Sequence, residues 1–361
     1  MAEWKKVKLE DVALLKAGKF ISAQMIAAKQ DPVNIYPCFG GNGIRGFVPN
    51  FSHEGFFPII GRQGALCGNV NLAQGKFYAT EHAVVASPKN GNNSIWLYYA
   101  LLFANLNQYA TGQAQPGISV ETINKVAFLL PPLEEQKKIA ATLSVWDSAI
   151  EKMEKIIKFK ESQKKSLIKK LIEKQEEKAN KIKVGNVTID KNKWKHERIG
   201  NVLKIGHGRD YKGLSLGKVP VFGSGGYMTS VDNFLHDGET VCIGRKGTID
   251  KPFYYKGKIW TVDTLFYTYD FKNVIPKFIY YVFCSIPWKI KNEAGGVPSL
   301  TSKIVENVEF YSPSLPEQQI IVDVLSNADD ELSLLKQQLE NYKKQKQGLM
   351  QKLLTGQWRV K

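Results

Sequence analysis

The chain has 361 residues, 43% hydrophobic and 23% charged, enough for two or three domains that each bury a core. Its 50 Lys and Arg against 34 Asp and Glu leave a net charge of +16, which favours nucleic acid or an anionic membrane surface as partner, although part of the excess sits on lysine-rich helical stretches. No apolar run approaches the ~20 residues of a membrane span, and Met1-Ala2-Glu3-Trp4-Lys5-Lys6 lacks the apolar core of a signal peptide. The four cysteines, Cys38, Cys67, Cys242 and Cys284, are far apart, so the expectation is a cytoplasmic protein with free thiols and no metal site.

In chain order, residues 1–132 read as a mixed α/β block. Short β-type runs (Phe57-Pro58-Ile59-Ile60, Ala83-Val84-Val85) alternate with Gly/Asn/Pro turns, and Trp96, Tyr99, Leu102 and Leu106 predict a helix over roughly Ser94 to Tyr109. A strand-like run, Val126 to Leu130, closes the block before Pro131. Residues 133–184 are read as a spacer helix. There Ile139, Leu143, Trp146, Ile150, Met153 and Ile157 alternate by four and three, and the series continues through Lys160 and Lys164 to Leu167 and Leu171. Residues 185–314 repeat the mixed block, with a matching helix near Pro276 to Trp288. Residues 315–361 repeat the helix, with Ile321, Leu325, Leu332, Leu335, Leu339, Leu349 and Leu353 in the seam. Such sustained heptads predict a coiled coil rather than helices lying on a globular core.

The two helices match at a constant offset of 182: Leu133-Glu134-Glu135-Gln136 returns as Leu315-Pro316-Glu317-Gln318, Asp147 as Asp329, and Gln163-Lys164 as Gln345-Lys346. The blocks match more loosely, from Trp4 with Trp194 through Ile60-Gly61-Arg62 with Ile243-Gly244-Arg245 to Tyr78 with Trp260. The expected architecture is therefore α/β (α+β): two globular domains in pseudo-two-fold repeat, separated by two long helices in an antiparallel coiled coil. The seam lysines Lys164 and Lys346 have two readings, a register-fixing device or a point where the seam opens onto a partner protein.

Catalytic motifs are missing. Gly41-x-Gly43-x-x-Gly46 has the spacing of a dinucleotide fingerprint but no helix opens on it, and its copy Gly223-Ser224-Gly225-Gly226 breaks the spacing, so a β-turn is expected. There is no phosphate loop, no zinc-protease motif and no Asp/Asn-Pro-Pro-aromatic tetrad. His82 has Thr264 as its counterpart, which argues against a catalytic role shared by both halves.

What the blocks share is polar, glycine-rich loops at equivalent places. Gly61-Arg62-Gln63-Gly64 and Gly244-Arg245-Lys246-Gly247 present side chains able to contact bases or phosphates, or else form solvated turns. Asn42 and Arg45 against Ser224 and Tyr227 differ in type, as base-reading positions should if the domains read different sequences. Gln113, Gln115 and Ser119 against Ser299 and Thr301 form a third pair suited to phosphate contacts.

This combination resembles the specificity (S) subunit of type I restriction–modification enzymes. Pro131-Pro132-Leu133-Glu134-Glu135-Gln136, Ser314-Leu315-Pro316-Glu317-Gln318, Phe39 to Gly46 and the Gly-Arg-x-Gly turns carry the resemblance across essentially the whole chain. It implies two target-recognition domains, each reading half of an interrupted, asymmetric DNA site, with the paired helices as ruler and as dock for two modification (methyltransferase) subunits. The chain itself would be non-catalytic and hold no cofactor. Partner subunits would bring S-adenosylmethionine for adenine-N6 methylation, and restriction subunits would bring ATP and Mg for translocation and cleavage. A free-standing DNA-modifying enzyme would need catalytic residues not seen here, and a scaffold that binds no DNA would leave the basic loops unexplained.

Overall fold

The computed structural model describes residues 3–112, 116–174, 180–292 and 294–360. In chain order the first part contains β1 (Lys5–Lys8), α1 (Leu9–Val12), β2 (Ala13–Ala17), β3 (Tyr36–Gly40), β4 (Gly43–Val48), β5 (His53–Gly61), β6 (Val70–Ala79) and β7 (Ala83–Pro88). It continues through α2 (Ser94–Phe103), α3 (Val120–Asn124) and β8 (Ala127–Leu130) into the long helix α4 (Leu133–Ile172). A hairpin of β9 (Lys181–Val184) and β10 (Val187–Asp190) follows. The second part then contains β11 (Lys195–Arg198), α5 (Ile199–Val202), β12 (Lys204–His207), β13 (Leu216–Gly223), β14 (Gly226–Val231), β15 (His236–Gly244), β16 (Phe253–Thr261) and β17 (Leu265–Tyr269). It ends with α6 (Pro276–Ser285), α7 (Ser302–Glu306), β18 (Glu309–Ser312) and the long helix α8 (Leu315–Leu354).

The duplication is topological. One six-stranded sheet has the order β2-β7-β5-β6-β3-β4 and the other β12-β17-β15-β16-β13-β14, the same path stepped through the same connections. Each adds a two-stranded ribbon, β1-β8 or β11-β18, that ties the start of the block to its last strand. The helix expected over Ser94 to Tyr109 stops at Phe103, because Asn105 adopts a left-handed conformation and a short 3-10 turn covers Leu106–Tyr109. Its counterpart likewise ends at Ser285, with a 3-10 turn at Trp288–Lys291. The spacer helix stops at Ile172, and 181–184 is a strand whose Ile182 joins the second block's core.

Two compact units divide the chain: Met1–Glu154 with Gln337–Lys361, and Lys155–Lys336. Each holds one globular block, the first half of the long helix that follows it, and the second half of the other. In the first unit Glu135 pairs with Arg359, Asp147 with Lys346 and Glu154 with Lys343, so the helix segments run antiparallel. In the second, Glu161 pairs with Lys336, Lys160 with Glu331 and Lys164 with Asp329 in the same sense. Each helix has 40 residues, about 60 Å at 1.5 Å per residue.

The heptad pattern does not have a single partner. Ile139, Leu143 and Leu353 are buried in the first globular core with Leu9, Trp96 and Leu101, and Leu349 packs at its edge. Leu171, Ile321 and Leu325 are buried in the second core with Phe278 and Phe283, and Leu167 packs at its edge. The expectation of helices free of a globular core therefore fails at their ends. It describes only the middle, where Ile157 and Leu332 are buried, and Trp146, Ile150, Met153, Leu335 and Leu339 are partly or less deeply covered. Trp146 meets Tyr342 edge-on, ring centroids 5.9 Å apart. Among the described residues no helix is long and apolar enough to cross a membrane, and no group of three or more His, Cys, Asp or Glu could hold a metal ion. Cys38, Cys67 and Cys242 are buried free thiols, and Cys284 is partly buried.

Candidate nucleic-acid interface

In each domain three loops converge through the same backbone hydrogen bonds. Arg62 N–H donates to His82 O at 3.1 Å and Arg245 N–H to Thr264 O at 2.8 Å, which ties the Gly-Arg turn to the turn before β7 or β17. Gly64 N–H donates to Pro116 O (2.9 Å) and Ile118 N–H to Arg62 O (3.0 Å); in the second domain Gly247 N–H donates to Pro298 O and Leu300 N–H to Arg245 O, both at 2.8 Å. Gly64 and Gly247 have φ of +89° and +82°, a backbone conformation that disfavours side chains. A Cβ at Gly61 would lie 1.8 Å from Gly41 O, so glycine there lets the β3–β4 turn pack against the strand end. Glycine is required here by the protein's own backbone, through the positive φ at Gly64 and Gly247 and the close packing at Gly61.

The loops enclose an open cleft in each domain, ≈ 590 Å³ in the first and ≈ 870 Å³ in the second. The β3–β4 hairpin turns through Gly41-Asn42 and the β13–β14 hairpin through Ser224-Gly225, the β-turn expected of the glycine string. Asn42, Arg45, Gln63 and His82 line the first cleft. Ser224, Tyr227, Asp263 and Thr264 line the second, with Asp210 and Lys212 across it. Asn42 accepts from Asn69 Nδ2 at 3.3 Å, and Tyr227 shares a 3.0 Å bond with Ser230.

Other sequence-selected residues flank the clefts. Arg62 is half-buried and its Nε has no hydrogen-bond partner among the described residues, whereas Arg245 Nη1 donates to Asp263 O at 3.2 Å. Lys246 is exposed and forms a β-bridge with Ser299, whose N–H donates to Asn292 Oδ1 at 2.9 Å. Ser119 and Thr301 are exposed and also serve the fold. Their hydroxyls accept from Thr122 N–H (3.0 Å) and Ile304 N–H (3.2 Å) as N-caps of α3 and α7. Gln113 and Gln115 lie outside the described residues.

Glu81 and His82, set aside as catalytic residues on the sequence, stand at the first cleft. His82 lines the first cleft with its Nε2 3.2 Å from Glu81 Oε1, and Glu81 Oε2 is buried without a hydrogen-bond partner among the described residues. The repeat held the signal: the pair occupies the register of Asp263-Thr264, and both pairs line or flank a cleft. One omission is structural. Gln136 and Gln318, nearly wholly buried, bind the start of each long helix to the turn before α2 or α6. Gln136 Oε1 accepts from Asn93 N–H at 2.9 Å and Gln318 Oε1 from Ile275 N–H at 2.8 Å. The side-chain amides donate back to Pro131 O and Pro313 O, each at 3.0 Å.

Comparison with known proteins agrees with this duplicated plan. The family model described as Type I restriction modification DNA specificity domain matches residues 1–161 and again 167–343. The type I restriction enzyme EcoprrI specificity subunit of Escherichia coli is 45% identical over 160 residues, 44% of this chain but only 40% of that protein's length. The putative type I restriction enzyme MjaX specificity subunit of Methanocaldococcus jannaschii is 26% identical over 325 residues, covering 81% of this chain and 76% of its own. In fold, the crystal structure of a type I restriction-modification S subunit from M. genitalium superposes with a TM-score of 0.68 at 20% identity, over 98% of this chain and 96% of that one. With both halves matched by the family model and the same fold found in a solved S subunit, the chain belongs to the family of type I restriction-modification DNA specificity proteins.

Proposed function

We propose that this chain is the DNA-specificity subunit of a type I restriction–modification enzyme, with each cleft reading one half of a bipartite, asymmetric target. The observation that carries this reading is one cleft built twice on the same backbone bonds but lined by different side chains. A common frame places both clefts alike, and different linings select different bases. Arg, Gln, Asn and Lys side chains near the clefts can pair with guanine, adenine and phosphate. The net charge of +16 supplies the attraction to DNA.

The two long helices set the spacing of the half-sites and dock two modification subunits, through which restriction subunits join. S-adenosylmethionine, ATP and Mg are bound by those partners, and the chain itself contributes no reacting group. The resulting adenine methylation marks host DNA, and unmarked DNA is cleaved as host defence.

The test is domain exchange. Replacing residues 1–132 with the equivalent domain of another such subunit, then mapping methylated adenines in cells that carry the methyltransferase, should change one half of the target and leave the other intact. A change in both halves, or in neither, overturns the two-reader model.

A further inference from the structure

One set of four side chains meets in both units, each residue 182 positions from its copy. In the first unit Tyr99 of α2 donates its hydroxyl to Asp147 Oδ2 at 2.6 Å and lies 3.3 Å from Ser144 Oγ. Lys346 of α8 pairs with Asp147 Oδ1 and stands 5.3 Å from the Tyr99 ring centroid. In the second unit Tyr281 of α6 donates to Asp329 Oδ2 at 2.8 Å, with Ser326 Oγ at 3.3 Å. Lys164 of α4 completes that cluster through Asp329 Oδ1, its Nζ 6.0 Å from the Tyr281 ring. Burial, with the carboxylate beside it, pushes each tyrosine hydroxyl well up, so it remains a donor.

Each cluster takes one residue from the domain, two from the helix that follows it, and one from the other helix. The two lysines are 16% and 17% exposed, with their aspartates at 41% and 30%, against 44% for Lys343 and 56% for Lys336 in the neighbouring pairs. Exposed lysines readily exchange a carboxylate for water, whereas a covered lysine that loses its carboxylate is left with a charge short of partners. A one-turn slip of α8, about 5.4 Å, would carry Lys346 away from Asp147.

We propose that the two Tyr–Asp–Lys clusters are positioning residues that lock the register in which α4 and α8 pair, and thereby the number of base pairs between the two half-sites. The inference rests on the two-reader function proposed above. A slip of one turn exceeds the ~3.4 Å rise of one base pair, so it should shift the gap by about one or two base pairs.

The test removes the charge and keeps the tyrosine's acceptor: Asp147→Asn with Asp329→Asn in the full chain. Register is read by oxidative cross-linking of Glu154→Cys with Lys343→Cys, or with Gln347→Cys one turn along α8. With both aspartates intact the 154–343 pair alone should cross-link; in the Asn variant both pairs should. With the methyltransferase present, the variant should also methylate sites of shifted gap to within roughly tenfold of the original, a difference of about 1.4 kcal/mol, with both half-site sequences unchanged. A single cross-link with a single gap overturns the proposal, as does a shifted cross-link with an unshifted gap. Altered half-site sequences with an unmoved cross-link overturn the two-reader function instead. If the Asn variant is insoluble, Lys164→Met with Lys346→Met removes the same ion pairs and is judged by the same outcomes.

Discussion

The two clefts and the two helix anchors sit in the same duplicated domains and follow opposite rules. At the anchors the halves share their main bonds: Asp147 and Asp329 accept from Tyr99 and Tyr281, and Gln136 and Gln318 accept from the turn before α2 or α6, although Gln136 also donates to Asn92 and Gln318 to Asn273 O. At the clefts the backbone bonds repeat, but Asn42, Arg45, Gln63 and His82 line the first, and Asp210, Lys212, Ser224, Tyr227, Asp263 and Thr264 the second. The first cleft therefore presents amides with Arg45 and His82, and the second a phenol, hydroxyls, two carboxylates and Lys212. Identity is kept where a buried polar group must find one partner, and difference is concentrated where side chains face open space.

The sharpest way to break this comparison is at the glutamines. Gln136→Leu and Gln318→Leu each strand a backbone N–H and should destabilise their own domain by about 2 kcal/mol, read by urea or thermal unfolding. Unequal costs in the two halves would contradict the equivalence of the anchors. The arginines beside the clefts should instead behave unequally. Arg62→Ala removes a guanidinium whose Nε has no internal partner, and should weaken cognate DNA binding by about 1–3 kcal/mol, with relaxed preference in one half-site. Arg245→Ala also releases the bond to Asp263 O, so unfolding should register it where Arg62→Ala leaves stability unchanged.

Smaller effects sharpen the distinction between caps and contacts. Ser119→Ala and Thr301→Ala should each cost about 1 kcal/mol of stability and leave cognate DNA affinity unaltered; a loss of affinity at fixed salt would make the hydroxyl a phosphate donor as well as a cap. The smallest effect is acidic. Arg359, helped by Trp4, holds the Glu135 carboxyl below its ordinary value of 4.5. Because the folded value is the lower one, its stabilisation is present above about pH 4.5 and is lost as pH falls through the folded value. Glu135→Gln should flatten that acid limb of the first unit's unfolding curve.

Much of the architecture follows from local pattern. Turn glycines, β-type runs and Pro131 or Pro313 bound strands that the structure contains, because turn and strand preferences act over a few residues. The heptad series lies within two 40-residue helices that begin at Leu133 and Leu315. The internal repeat located the equivalent loops, since two copies of one fold must place them alike.

Partner choice is another matter. Periodicity marks an apolar face without saying what covers it, so Leu143 and Leu325 read as coiled-coil seam while burying against Trp96 and Phe278 in their own domains' cores. Ser119 and Thr301 carry no mark in the sequence of the N-caps they form on the following helices. Lys346 could have faced a partner protein; only folding brings it to Asp147, 199 residues away. The sequence by itself determined the two domains, the two helices and their common register, because these depend on neighbours along the chain. The tertiary structure decided which polar groups satisfy each other and which are left facing the clefts, because burial and pairing are settled by residues distant in sequence.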